Sequence, residues 1–269
     1  MTVLNFGFAG KTALVTGGAS GLGAAIAVEL AALGVTVCIA DRQSSQRTLD
    51  AIERQHGAKG YAVKVDLRSE EQVQLMIHRA VDHLGSLDLF VNVAAALVAE
   101  SVTRMTLSSW NDVLATNVTA CALACRDVSK HMIKQGRGGA ILIVGSTVTY
   151  NPAYAQAAYR VSKTGLKAYM ETLAIELAPF GIRVNMISPG PFPTPLVSHL
   201  TEDQRWAAAR EVPLGQREGV VTEVPPMALV LLSDVFSSYI TGADVPIDGG
   251  LHLRPLLFGS SEEVKQLNI

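Results

Sequence analysis

Short runs of consecutive apolar residues alternate along this chain with longer stretches in which apolar residues recur every three or four positions. Ala13 to Thr16 form the first apolar run and read as a short buried strand. After a glycine-rich turn, Leu22, Ile26 and Leu30 recur at helical spacing until Gly34 stops the helix. Val35 to Ala40 form a second run, closed by Asp41. The alternation then predicts a helix from Ser45 to His56, a strand from Gly60 to Val65 ending at Asp66, and a helix from Glu70 to Leu84 with Val73, Ile77 and Val81 on one face. A strand from Leu87 to Val93 and one long helix from Ser108 to Gln135 follow. Gly136 to Gly139 make a turn before a strand at Ala140 to Val144, a helix at Ala155 to Leu177 and a strand at Ile182 to Ile187. A helix at Glu223 to Ser233 and a last strand at Asp244 to Ile247 complete the pattern.

Strands separated by helical lengths call for a parallel sheet covered by helices on both faces, an α/β doubly wound architecture. No repeat, low-complexity segment or linker divides the chain, so residues 1–269 read as a single domain with a tail at 251–269. Only the segment 189–219 breaks the rhythm, with Pro189, Pro191, Pro193, Pro195 and Pro213 around an amphipathic piece near Glu202 to Glu211. Its apolar Phe192, Leu196, Leu200 and Trp206 indicate an ordered substrate-side lid rather than disorder, with Gly190 and Gly215 as candidate hinges.

Composition narrows the class. With 24 acidic against 22 basic residues, the chain has no long-range attraction for a polyanion, which argues against nucleic-acid binding. With 49% apolar and 17% charged residues it is no disordered chain, and the low charge suggests a buried oligomer interface. Val113, Val118, Cys121, Ala124, Cys125 and Val128 on one helix, and Ala168, Leu173, Ala174 and Leu177 on another, exceed the stripe that one sheet contact needs. The three cysteines, Cys38, Cys121 and Cys125, match neither a disulfide scaffold nor a zinc ribbon and read as small core hydrophobes. None of the six histidines forms a close ligand pair, so no metal is expected. No basic leader or long apolar run opens the chain and no 18-residue apolar span occurs, which leaves a cytoplasmic, membrane-free protein as the expectation.

Candidate chemistry begins at the first turn. Gly17, Gly21 and Gly23 lie between an apolar strand and a helix, where the absence of side chains lets a pyrophosphate approach the backbone at a helix N-terminus. That context marks a Rossmann-type dinucleotide site rather than a bare tight turn. Asp41, at the end of the second strand, is placed to accept both adenosine-ribose hydroxyls and to repel a 2′-phosphate, which favours NAD; Arg42 beside it keeps NADP as the alternative. Asp66, with Leu67, is a candidate for the adenine edge, a strand-end cap being the other reading.

Tyr159 and Lys163 are i and i+4 on the predicted helix and share a face. A tyrosine is a poor base at neutral pH unless a neighbouring ammonium or a cationic nicotinamide favours the phenolate. Ser146, at a strand end, is placed to hydrogen-bond the oxygen whose charge changes during carbonyl reduction or alcohol oxidation.

At these residues the sequence resembles the classical short-chain dehydrogenase/reductase family from about Lys11 to Gly250. The run from Thr16 to Gly23 matches the family's T-G-x-x-x-G-x-G signature, and Ser146, Tyr159 and Lys163 match its serine and Y-x-x-x-K pair. The resemblance makes Asn117 the asparagine that helps hold a water in the proton relay, completing a catalytic set of Asn117, Ser146, Tyr159 and Lys163. It makes Asp41 the determinant of NAD preference, in keeping with Ser20, which stands where many NADP-preferring members place a basic residue. It also implies cofactor contacts by Gly17, Gly21, Leu22, Gly23 and Asn92, by Ala94, and by Tyr159 and Lys163. After the sixth strand, Asn185 and Ser188-Pro189-Gly190 match the motif passing the nicotinamide, followed by Phe192 and by Thr194 at the carboxamide or pyrophosphate. Asn92-Val93-Ala94-Ala95 departs from the usual N-N-A-G at Val93 and Ala95. Seven strands and a homotetramer are further implications.

The expected activity is therefore NAD-dependent hydride transfer between nicotinamide and a secondary alcohol or ketone, on a small-molecule substrate. An NADP-dependent ketone or 3-oxoacyl-thioester reductase, and a noncatalytic NAD-sensing or structural protein on the same fold, are the alternatives. Candidates for substrate discrimination are Ser146, Val148, Asn151, Tyr154, Tyr159, Phe192, His199 and Trp206. Sugars, polyols, cyclic alcohols, steroids and oxoacyl thioesters all remain candidate substrates.

Overall fold

Successive strand residues point to opposite faces, so an unbroken apolar strand needs cover on both sides. The computed structural model, which describes residues 5–253, shows this alternation being met. β1 (Thr12–Thr16), β2 (Thr36–Asp41), β3 (Tyr61–Lys64), β4 (Leu89–Asn92), β5 (Gly139–Val144), β6 (Ile182–Pro189) and β7 (Asp244–Ile247) form one sheet in the order β3-β2-β1-β4-β5-β6-β7. Every neighbouring pair is parallel.

Leu14, Cys38, Phe90, Ile141 and Val184 face one core, built with α3 (Glu70–Leu84), α5 (Ala120–Gln135) and α6 (Ala157–Leu177). Their strand neighbours Val15, Ile39, Val91, Leu142 and Ile187 face the other, built with α1 (Gly21–Ala32), α2 (Gln46–His56) and α8 (Pro225–Leu232). The chain crosses from β3 to β4 past the starting strand, so β1 pairs with both β2 and β4. The connections after β1 and β4 diverge, and the crevice between them opens at the carboxyl ends of the strands.

The expected long helix from Ser108 is broken into α4 (Leu107–Leu114), a π-helical turn at Ala115–Thr119 and α5. The Ala120 N–H reaches back five residues to the Ala115 carbonyl. The proline-rich excursion carries α7 (Glu202–Arg210), which begins at a Thr201–Gln204 capping box. Of the expected tail, Leu251–Leu253 form a 3₁₀ turn and the remainder lies outside the described residues.

One expectation is corrected. Of the residues expected at an oligomer face, Val113, Cys121, Ala124, Cys125, Val128, Leu173, Ala174 and Leu177 are buried within the single chain and offer no face to a second copy, whereas Val118 is half-buried and Ala168 exposed. Two helices packing side by side on one sheet face bury more of each other than a single stripe allows for. With Ala168, the apolar surface left on α6 includes Val161 and Ile175, the latter 78% exposed. Among the described residues, no helix is long and apolar enough to cross a membrane.

The sheet's β6 side is tied to α8 by one buried cation. The Arg183 guanidinium donates to the carbonyls of Leu231 (2.7 Å) and Leu232 (3.1 Å), to Ser237 Oγ (2.9 Å) and to Asp234 Oδ1 (3.1 Å). It thus satisfies the orphan carbonyls at the end of α8. Replacing it by methionine keeps the volume but strands the Leu232 carbonyl and leaves Leu231 with Ser237 alone and Asp234 with Lys11. Arg183→Met is therefore expected to lower unfolding stability by about 2–4 kcal/mol. Urea denaturation followed by circular dichroism checks this; an unshifted midpoint would mean that water reaches the carbonyls instead.

Candidate active site

The glycine turn is shaped by close approach. A Cβ on Gly17, whose φ is +68°, would lie 2.7 Å from the Ala94 backbone nitrogen, and one on Gly23 would lie 2.2 Å from the Gly17 carbonyl oxygen. Gly17 therefore lets the first connection pass the fourth at the crevice, whereas Gly23 lets the turn close on the helix. Ser20 precedes α1 in extended conformation without capping it, and no acidic side chain stands in the first turn. The free N–H groups and positive dipole end face the cavity bounded by Ser20, Gly21 and Leu22, where they suit an anionic group.

That cavity, about 560 Å³, runs along the carboxyl ends of the strands from Asp41 and Asp66 to Ser146 and Tyr159. At one end, Asp41 Oδ2 accepts from the Ala19 N–H (3.1 Å) and Oδ1 from the Gln43 N–H (2.9 Å). Each oxygen retains a lone pair for a further donor. Asp66 is held by Arg68, whose Nε lies 3.0 Å from Oδ1 and Nη2 2.6 Å from Oδ2, and this pairing pulls its pKa down to about 2. The strand-end cap is thus present as well, through the Arg68 N–H on Oδ1.

At the other end, Tyr159 and Lys163 project from α6 and are buried, while Ser146 follows β5 and is half-buried. Lys163 Nζ donates to the Val144 carbonyl at 2.8 Å and lies 5.7 Å from the centroid of the Tyr159 ring. Burial pulls the ammonium pKa down to about 8. The expectation that lysine lowers the tyrosine pKa is corrected for the chain alone: burial dominates and pushes Tyr159 up to about 12, with the Ser146 hydrogen bond working against it. The phenol is therefore protonated at neutral pH, ready to donate.

Asn117 sits in the π-helical turn, fully buried and off the cavity wall. Its Oδ1 accepts from the Ala96 N–H (2.7 Å), and its Nδ2 donates to the Ala96 carbonyl (2.9 Å) and to Ser162 Oγ (2.9 Å). Ser162 in turn donates to the Tyr159 carbonyl at 2.7 Å. The side chain of Asn117 thus locks the β4 connection to the helix bearing Tyr159.

Of the remaining expected residues, Arg42, Leu67, Ala94, Val148, Asn151, Pro189, Gly190, Phe192 and Thr194 all line the cavity. Gly23 and Asn92 do not; Asn92 is buried and accepts from Thr16 Oγ1 at 3.1 Å, behind the wall. Three substrate candidates also lie off the lining: Tyr154 and His199 are exposed, and Trp206 is 54% exposed on the outer side of α7. Val93 and Ala95 both line the cavity, and Val93 also packs against the core on the α1 side of the sheet. Sequence reasoning missed Ser162, signalled only by its place between Tyr159 and Lys163. It also missed Leu97, Arg205 and Leu251, wall residues from three separate connections that carry no local signal.

The uncapped helix end, the side-chain-free turn and the strand-end carboxylate suit a nicotinamide dinucleotide, and the Ser146–Tyr159–Lys163 group suits proton exchange with an alcohol or carbonyl oxygen. Together they define the class: a dinucleotide-dependent oxidoreductase of Rossmann type. Comparisons name the family. A family profile described as Enoyl-(Acyl carrier protein) reductase matches residues 17–252. The chain is 35% identical over 251 residues to glucose 1-dehydrogenase 2 of Bacillus subtilis (strain 168), covering 91% of this chain and 96% of the relative. It is 34% identical over 244 residues to a 3-oxoacyl-(acyl carrier protein) reductase of Aquifex aeolicus (strain VF5), covering 90% and 97%. A crystal structure of a short-chain type dehydrogenase/reductase from Mycobacterium marinum superposes with a TM-score of 0.87 at 33% identity, covering 92% and 97%. The chain belongs to the short-chain dehydrogenase/reductase family.

Holding an ammonium in this dry setting opposes folding. The folded-state pKa of Lys163 lies below its ordinary value of 10.5, so the penalty is full below about pH 8 and fades as pH rises toward 10.5. Lys163→Met is expected to raise stability at pH 7 by about 1–2 kcal/mol. Thermal unfolding of both forms from pH 7 to 10.5 should show the gap closing with pH; a constant gap would assign it to packing.

Proposed function

We propose that this enzyme transfers a hydride between NAD and a small secondary alcohol or ketone. The observation that carries this reading is the presence, at one end of a single cavity, of Ser146, a protonated buried Tyr159 and Lys163, with Asp41 at the other end. The nicotinamide, when bound, supplies or accepts the hydride. In reduction, Tyr159 gives its phenolic proton to the substrate oxygen as negative charge grows there, and Ser146 donates a hydrogen bond to the same oxygen. In oxidation, Tyr159 takes the alcohol proton as phenolate, the form that the positive charge of an oxidised nicotinamide, when bound, would favour. Asn117 and Ser162 hold the helix that carries both groups.

The lone pairs left on Asp41 suit the two adenosine-ribose hydroxyls, and its charge opposes a 2′-phosphate, which supports NAD over NADP. Arg42, exposed on the same stretch of wall, is the residue that would serve NADP. The segment 189–219 is read as the substrate-side lid, with Leu196 and Leu200 on its inner face. A cytoplasmic homotetramer is proposed, in keeping with three reduced, buried cysteines and the exposed Val161 and Ile175 on α6.

Tyr159→Phe removes the transferable proton and keeps the ring; turnover is expected to fall by about 100-fold or more with cofactor affinity unchanged. Steady-state rates and cofactor titrations measure both, and full turnover in the variant would refute the assignment. For the cofactor, Asp41→Ala should weaken NAD and narrow the preference over NADP by about tenfold or more. Dissociation constants for the two cofactors decide this; an unmodified enzyme that prefers NADP would transfer the role to Arg42.

A further inference from the structure

Resting on the dehydrogenase reading of this cavity, we propose that its substrate is an uncharged ketone or secondary alcohol with a compact hydrocarbon body, of the alicyclic type. It would be bound free, not as a sugar and not as a thioester on a phosphate-bearing arm. The wall around the Ser146–Tyr159 end takes aliphatic side chains from several connections. Leu97 comes from the connection after β4, Val148 and Pro152 from that after β5, Leu196 and Leu200 from the lid, and Leu251 from the chain beyond β7. Polar side chains among them are few: Thr116, Thr147, Asn151 and Gln156, of which Thr147 Oγ1 already donates to the Pro189 carbonyl at 3.3 Å and Asn151 Nδ2 to the Leu251 carbonyl at 2.7 Å.

A polyol has more hydroxyls than these few groups can pair, and those left against aliphatic surface are costly to desolvate. A hydrocarbon ring would gain by leaving water. The charges present disfavour an anion. Arg205 is the lining cation contributed by the lid, and its Nε stands 3.8 Å from Glu218 Oε1. A substrate carboxylate or phosphate therefore meets a guanidinium that already faces an acid. The lid helix also opens with Glu202 and Asp203, both exposed. Desolvating an anion in that setting is unfavourable.

The test uses the full chain with NADH and four probes: 4-methylcyclohexanone, 4-oxocyclohexanecarboxylate, acetoacetyl-coenzyme A and, with NAD in the oxidative direction, glucose. The expected kcat/KM for the methyl ketone exceeds that for its carboxylate counterpart by about 100-fold, and exceeds those of the other two. Leu200→Asn should lower kcat/KM for the methyl ketone by about tenfold while NADH affinity is kept. Glu218→Gln should narrow the penalty on the carboxylate. Thermal shifts at saturating NADH should rank the same ligands in the same order. Preference for the carboxylate, glucose or the thioester overturns the proposal, and if that turnover is lost in Tyr159→Phe the dehydrogenase reading stands. Absence of Tyr159-dependent turnover with every probe, in both directions and with both cofactors, overturns the two together.

Discussion

A parallel sheet buried on both faces leaves polar chemistry little room except along the edges where its strands end. Here the edge at the carboxyl ends is opened by the reversal of strand order about β1, which sends the connections after β1 and β4 to opposite sides. Everything in the site depends on how closely those two connections can pass. Gly17 stands against the backbone of Ala94 at a distance no side chain would permit, so the crevice is both opened by topology and narrowed by glycine.

The second requirement is that the polar groups lining such a crevice be held without loss of burial. The network from Ala96 through Asn117 and Ser162 to the backbone of Tyr159 does this by satisfying every side-chain group it contains. A half-satisfied version would be worse than an apolar one. The π-helical turn belongs to the same arrangement: it shifts the register of the α4–α5 rod where Asn117 must reach two different segments. Lys163 is the contrasting case. It is held by one backbone carbonyl and otherwise dry, an arrangement that opposes stability and suits a group whose charge is needed beside a reacting phenol.

Much of this was written locally. The seven strands and their order of appearance follow from apolar runs and helical periodicity, because each signal is carried by residues close in sequence. The glycine turn, Asp41 and the i, i+4 pair of Tyr159 and Lys163 are local for the same reason. The boundaries moved by a residue or two, and the long helix acquired its π turn, because those details answer to contacts with Ala96 and Ser162.

What the sequence by itself determined is the alternation that makes the sheet and the chemical groups that lie at strand ends. Only the tertiary structure decided which side chains face the substrate. Trp206, Tyr154 and His199 look suited to a pocket by type, yet lie outward, while Leu251 arrives at the wall from beyond the last strand. The same holds for most of the apolar residues expected at an oligomer face, which the sheet and the neighbouring helices had already covered, Ala168 remaining exposed. The physical reason is common to both: a residue's type fixes what it would gain by burial, but which surface buries it depends on segments far away in the chain.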